Sequence, residues 1–198
     1  MSPAGTRERI LDATSELFRL QGYAGTGMKQ VVARAEAPFG SVYHFFPGGK
    51  EQLAGEAIER AGRFYEDLVL AVFDAEPDVV SGTRAIFDGA AEVLRASGYE
   101  DACPIATVAL EVASTTDPLR QASHRVFESW LAALTPRLVD AGADPTAARS
   151  VAISVVALLE GAFLLSRTAR TTEAMTATGD AAVALVESAL AGRPPVPG

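Results

Sequence analysis

Nucleophilic chemistry has one candidate in this sequence, Cys103 with His124 as the base that would take its proton. A lone cysteine ahead of Pro104 is more readily a small buried residue, so no catalytic role is expected. His44 and His124 have no second ligand three or four residues away, and neither a metal nor any other cofactor is expected. Two carboxylates, Glu111 and Glu160, stand in apolar runs with Val108, Val112, Leu159 and Phe163. Each is either bonded to a helix end, or at a subunit interface, or the polar anchor of an apolar pocket that would favour a lipophilic cation. The remaining candidate is the run Pro38-Phe39-Gly40-Ser41-Val42-Tyr43-His44, followed by Lys50. It combines small, aromatic and hydrogen-bonding side chains, and Gly40 costs a helix about 1 kcal/mol relative to alanine. Such a residue is expected where something outside the protein approaches the backbone. Tyr43, His44 and Phe46 could instead form an aromatic core stripe, and Phe46 is expected to be core.

The elements that must position these residues are helical. Residues 26–50 read as a short helix, a tight turn and a second short helix, then a Pro-Gly-Gly loop and a lysine that opens a longer helix. Met28, Val31, Val32 and Ala35 give the first short helix its buried face, and Pro38 suits the start of the second. Ahead of them, after a disordered-looking 2–5, a helix is expected from an N-cap at Thr6 to a stop at Gly22. Ile10, Ala13, Leu17 and Phe18 face inward, and Tyr23 folds back on Phe18.

The motif Thr26-x-Met28-x-x-Val31-x-x-x-Ala35, then Gly40-Ser41-Val42-Tyr43-His44-x-Phe46-Pro47 and Lys50-Glu51-x-Leu53, resembles the DNA-binding signature of the tetracycline-repressor (TetR) family. The run Cys103-Pro104-Ile105-Ala106-Thr107-Val108-Ala109-Leu110-Glu111 is similar to the ligand domain of its LmrA/YxaF-like branch. The resemblance implies a homodimeric, non-enzymatic transcription regulator, most simply a repressor, that binds double-stranded operator DNA and is released by a small-molecule effector. It implies phosphate contacts from Thr26, Tyr43, His44 and Lys50, with Thr26 and Lys50 at helix N-termini, where the dipole favours anions. Phe39, Gly40 and Ser41 would face bases, Phe39 against a thymine methyl; Lys29 and Pro38 complete the DNA-binding set. The effector pocket it implies would draw on Phe64, Phe87, Val108, Glu111, Phe127, Trp130, Glu160 and Phe163. The chain departs at Glu36, where the family usually has glycine. A non-glycine residue at positive φ is uncommon, so the departure bears on the angle between the two short helices.

After the loop, a helix with Leu53, Ala57, Ala61, Phe64, Leu68 and Val72 on one face is expected over 50–75. Further helices are expected from Val79, after Pro104, from Asp117-Pro118 with a kink or end at Pro136, from Asp144-Pro145, and around Ala181 to Leu190. Residues 151–165 are apolar nearly all round, which predicts cover on every side; with the last helix they would form a four-helix seam between two copies. The same stretch is broken by Ser154, Glu160 and Gly161 and is expected to be too short to span a bilayer.

Charge divides the chain along the same lines. The net charge is −8 over 198 residues, yet residues 1–50 carry six basic side chains against four acidic ones, leaving the deficit to the remainder. A basic head on an acidic body leaves one favourable face for DNA. No signal-peptide pattern opens the chain, and the one cysteine fits a reducing compartment, so a cytoplasmic protein is expected. The expected organisation is all-α: an N-terminal three-helix DNA-binding domain over 1–50, an effector-binding and dimerisation domain over 51–192, and a disordered tail over 193–198. The rival reading is a helical ligand-binding or enzymatic dimer whose N-terminal domain does not read DNA.

Overall fold

The computed structural model describes residues 3–192; the expected tail over 193–198 lies outside the described residues, as do Met1 and Ser2. Among the described residues the chain is helical throughout, with no strand. Its elements are α1 (Pro3–Gly25), α2 (Met28–Arg34), α3 (Phe39–Phe45), α4 (Gly49–Ala75), α5 (Val79–Ala96), α6 (Pro104–Val112), α7 (Asp117–Asp140), α8 (Pro145–Ala169) and α9 (Glu173–Ala191). Packing groups them into two compact units, Met1–Tyr65 with Ala102–Phe127 and Glu66–Asp101 with Glu128–Gly198, so the division falls inside α4 and α7.

In the first unit, α1 packs on α2, α3 and α6. Ile10, Phe18, Val31, Val42, Phe46, Leu53 and Ile58 are closed from solvent, as are Ile105, Val108 and Leu119. Phe46 is fully buried, the core position expected of it. Thr6 is not an N-cap: α1 already begins at Pro3, a residue suited to a first helical turn, and the Thr6 hydroxyl accepts from Arg9 Nη2 at 3.4 Å. The part of 2–5 that is described is therefore helical. Gly22 breaks α1 with φ 73° and ψ −177°, a conformation close to glycine-only, before a last turn reaches Gly25. Tyr23 meets Phe18 edge to face at 5.9 Å.

The second unit is built by α8 on α9, with α5 against both. Phe73, Phe87, Leu94, Leu131, Leu134, Leu138, Val155, Met175 and Val186 form its core. The starts of α5 and α8 are capped by carboxylates. Asp78 accepts from the Ser81 amide at 2.7 Å, and Asp144 from Thr146 and Ala147 at 2.9 and 3.1 Å. Pro136 does not end α7, which runs on to Asp140. A proline there gives up its own N–H bond to the preceding turn, and Thr135 Oγ1 donates to the Leu131 carbonyl at 2.6 Å just before it.

The helix α8 is longer than the apolar stretch 151–165 because Asp144 caps its start and Arg170, at φ 52°, closes its end. By length and composition it could cross a membrane, contrary to expectation, and most of its apolar window is open. One face, with Ala148, Val151, Ala152, Val155, Ala162 and Ser166, is buried in the unit's own core. The opposite face carries Ile153, Ala157, Leu164 and Leu165, all exposed, and Leu185 of α9 is exposed as well.

Candidate nucleic-acid interface

The helix α3 is only seven residues long and buries a single side chain along it, Val42. Val42 pins the helix, and the rest of its surface is left for other use. Phe39 and Tyr43, one turn apart, are 46% and 52% exposed, and their rings meet edge to face at 5.7 Å. Neither is part of a core stripe. His44 is exposed, and Ser41 is half-buried. Gly40 is exposed, and a Cβ built there would meet nothing within 4 Å. Internal packing therefore gives no reason for glycine at this position.

The turn before α3 is held from behind by α1. Arg9 Nε donates to the Ala35 carbonyl at 2.9 Å, and Arg34 Nε to Glu16 at 2.8 Å, with a second Arg34–Glu16 contact beside it. The Arg34 guanidinium holds the Glu16 carboxyl below the usual carboxylate range. Glu36 sits in the turn at φ 49°, in the left-handed region where the sequence places a non-glycine residue. The α2 helix starts at Gly27, whose amide donates to Gln30 Oε1 at 2.7 Å.

Not every expected contact residue faces outward. Lys29 and Pro38 are exposed, but Thr26 is 2% exposed and precedes the α2 cap. Its hydroxyl donates to the Gly22 carbonyl at 2.6 Å and its amide to Tyr23 O at 3.2 Å. Thr26 ties the broken end of α1 to α2, so its side chain is not presented to a phosphate. Lys50 is half-buried at the start of α4, its Nζ 4.2 Å from the centre of the Tyr23 ring. Burial pushes the Lys50 amine down, and the charge of Glu111 opposes that effect.

Glu111 has partners that spacing did not reveal. Its Oε1 accepts from the Tyr23 amide at 3.1 Å and its Oε2 from Ala24 at 2.7 Å. These amides lie 88 and 87 residues away in sequence, and no local pattern links them. Glu111 thus serves a helix end rather than opening toward a ligand.

The other expected effector residues are divided between the two units. Phe64, Val108 and Phe127 belong to the first unit with Glu111, and Phe87, Trp130, Glu160 and Phe163 to the second. Val108 and Phe87 are closed into the cores of their own units, Phe64 is 62% exposed, and the others are half-buried. Two open clefts lie elsewhere. One runs behind the α2–α3 turn among Arg9, Asp12, Glu16, Arg34 and Glu36, and one lies beside α5 among Glu76, Val80, Arg84 and Asp88. Cys103 caps α6, its Sγ accepting from the Ala106 amide at 3.4 Å.

Residues 10–57 match the family described as bacterial regulatory proteins, tetR family, and residues 79–181 the C-terminal domain of LmrA/YxaF-like transcriptional regulators. The HTH-type transcriptional regulator LmrA of Bacillus subtilis is 34% identical over 170 residues, covering 86% of this chain and 90% of that one. An uncharacterized HTH-type transcriptional regulator of the same organism, YxaF, is 35% identical, covering 84% and 87%. Among solved structures, regulatory protein TetR from Rhodobacter sphaeroides superposes with a TM-score of 0.80 over 90% of this chain and 97% of its own, at 20% identity. The reduced form of Escherichia coli NemR does so with a TM-score of 0.74 over 96% and 100%, at 22% identity. At these identities the structures speak to the fold alone.

Proposed function

The chain belongs to the TetR family of DNA-binding transcriptional regulators, with an LmrA/YxaF-like C-terminal domain, and from that premise we propose that it is a repressor released from a palindromic operator by a small-molecule effector. Members of the family bind operator DNA and act as dimers, and they are regulators rather than enzymes. The observation that carries the operator reading is α3 itself. It is a seven-residue helix whose one buried side chain is Val42, with Phe39, Gly40, Tyr43 and His44 open and a glycine that nothing inside the protein requires.

We assign base contacts to Phe39, Gly40 and Ser41, and phosphate contacts to Tyr43, His44 and Lys50, with Lys29 and Pro38 at the margin. A glycine on the reading face lets the backbone come close to the groove, and an exposed phenyl ring suits a thymine methyl. Thr26 is withdrawn from the phosphate set because its hydroxyl is bonded inside the chain. The functional division proposed is a DNA-binding domain over 1–50 and an effector and dimerisation domain from 51 onward, in a cytoplasmic protein. Dimerisation is proposed through α8 and α9, where Ile153, Leu164, Leu165 and Leu185 are exposed on one protomer. Effector uptake is proposed for the C-terminal domain, where Trp130, Glu160 and Phe163 are half-buried.

A mobility-shift assay with the DNA flanking the chain's own gene tests this reading. The expected result is a retarded complex that survives competition by unrelated DNA and is lost when Phe39 and Ser41 are both changed to alanine. Binding that ordinary competitor DNA removes would reject operator recognition.

A further inference from the structure

We propose that Glu111 is a positioning residue for operator binding: its carboxylate holds the Tyr23 and Ala24 amides and so fixes the joint between α1 and the helix-turn-helix. The inference rests on the operator-reading role of α3 and concerns how that site is held ready and released. The joint exists because Gly22 leaves the helical conformation, at φ 73° and ψ −177°. The break deprives the next amides of their acceptors four residues back, as at any helix start. Glu111 supplies both acceptors from α6, at 3.1 and 2.7 Å. It acts as a cap brought in from a distant helix, and an ionised acceptor makes the bonds stronger than neutral ones. The approach is so close that a Cβ at residue 22 would lie 1.7 Å from Glu111 Oε1, so a side chain there would displace the carboxylate from these amides.

From this joint, order passes in two directions. Along the chain, Thr26 bonds back to Tyr23 and Gly22, and Gly27 then caps α2, the helix packed against α3. Across the surface, the Tyr23 ring rests on Phe18 at 5.9 Å and lies under the Lys50 ammonium at 4.2 Å. One carboxylate therefore sets the start of α2 and the seat of a proposed phosphate ligand. The helix that carries it is anchored by Ile105, Val108 and Val112, all closed from solvent. A hydrogen bond is gone beyond about 3.5 Å, so a shift of α6 of roughly 1 Å releases both amides. This makes α6 a latch on the reading head.

Simple charge arithmetic predicts the opposite sign from the latch, and that makes the test sharp. Removing a negative charge from the DNA-facing unit should by Coulomb attraction alone strengthen binding. The latch requires it to weaken. Full-length wild type, Glu111→Gln and Glu111→Ala are titrated against a flanking-DNA fragment that the wild type retains, over a series of salt concentrations. Hydrogen exchange at the Tyr23 and Ala24 amides and thermal melting are followed in parallel.

The expected result is an apparent Kd weakened on the order of tenfold for Glu111→Ala, as the competent fraction falls to about a tenth. Glu111→Gln, which keeps one acceptor oxygen, should lie between it and the wild type. The slope of log K against log salt should stay unchanged, because the bound complex touches the same phosphates, and the two amides should exchange faster in both variants. Binding as tight as wild type or tighter in a folded variant overturns the latch. So does a reduced salt slope, which would mark a lost phosphate contact instead. If Glu111→Ala melts below the assay temperature, the near-isosteric Glu111→Gln carries the same decision. Failure of the wild type to retain any flanking DNA is failure of the operator reading itself, seen before a variant is made.

Discussion

Arg9 Nε donates to the carbonyl of Ala35 at 2.9 Å, one residue before Glu36 turns into the left-handed region at φ 49°. The guanidinium holds the end of α2 in place while the backbone reverses without a glycine. A non-glycine residue in that conformation costs roughly 1–2 kcal/mol, and glycine would lose about 0.5–1 of that to its unfolded-state freedom. Glu36→Gly should therefore be neutral to about 1 kcal/mol more stable. Arg9→Ala should be about 1–2 kcal/mol less stable, because it leaves a buried acceptor short of its donor. Chemical denaturation of the two variants measures both. A Glu36→Gly protein clearly less stable than wild type would mean that the Glu36 side chain itself holds the turn.

The separation of roles on the reading face is open to a second experiment. Tyr43→Ala, His44→Ala and Lys50→Ala should weaken binding to every sequence about equally, since phosphate contacts position a protein without specifying sequence. For Lys50→Ala the salt slope should also fall by about 0.9. Phe39→Ala and Ser41→Ala should change the preferred bases. Selection from a randomised DNA library decides between these outcomes, and a Lys50→Ala protein that chooses a different sequence at unchanged affinity would refute the assignment.

The pH dependence of the head follows from Glu16. Hydrogen bonding from Arg34 holds its carboxyl below the usual range in the folded state. A carboxyl depressed on folding adds stability above its unfolded pKa, and that contribution is lost as pH falls through the lower folded value. The stability difference between wild type and Glu16→Gln should then be largest near neutrality and should close in the acid range below pH of about 4. Melting curves across that range provide the measurement. A difference that instead widens with acid would exclude the ion pair as its source.

What could be read from the sequence was whatever is written locally. Asp144 announces its helix by bonding amides two and three residues on, and Val31, Val32 and Ala35 are buried at the spacing of one helix face. The exposed α3 surface was equally legible, because Gly40 and Ser41 make little sense as core. Distant partners were not legible. Thr26 turns inward because Gly22 breaks α1 ahead of it, and Glu111 finds its donors 88 and 87 residues away. At Pro136 the local pattern offers a kink or an end, and α7 runs on to Asp140, so the end is excluded. Apolar composition along α8 and α9 likewise could not separate residues that fill their own protomer from those left for a neighbour.

Val186 of α9 is fully buried in the core of its own unit, whereas Leu164 and Leu165 of α8 are 58% and 55% exposed. On α8 the open positions Ile153, Ala157, Leu164 and Leu165 recur at the spacing of one helix face, and the small Ala157 and Gly161 let another helix come close. A carboxylate at Leu165 faces water in the monomer but would be buried unpaired in a dimer joined through this face, at a cost of several kcal/mol. Leu165→Asp should therefore stay folded as a monomer, melting lower only by the stabilisation that dimerisation adds. It should also lose affinity for a two-half-site palindrome, which needs two reading heads held one helical turn apart. Val186→Asp should lose the fold itself. Sedimentation analysis with thermal melting separates the two behaviours, and a Leu165→Asp protein that stays dimeric and protects both half-sites normally would place the seam elsewhere.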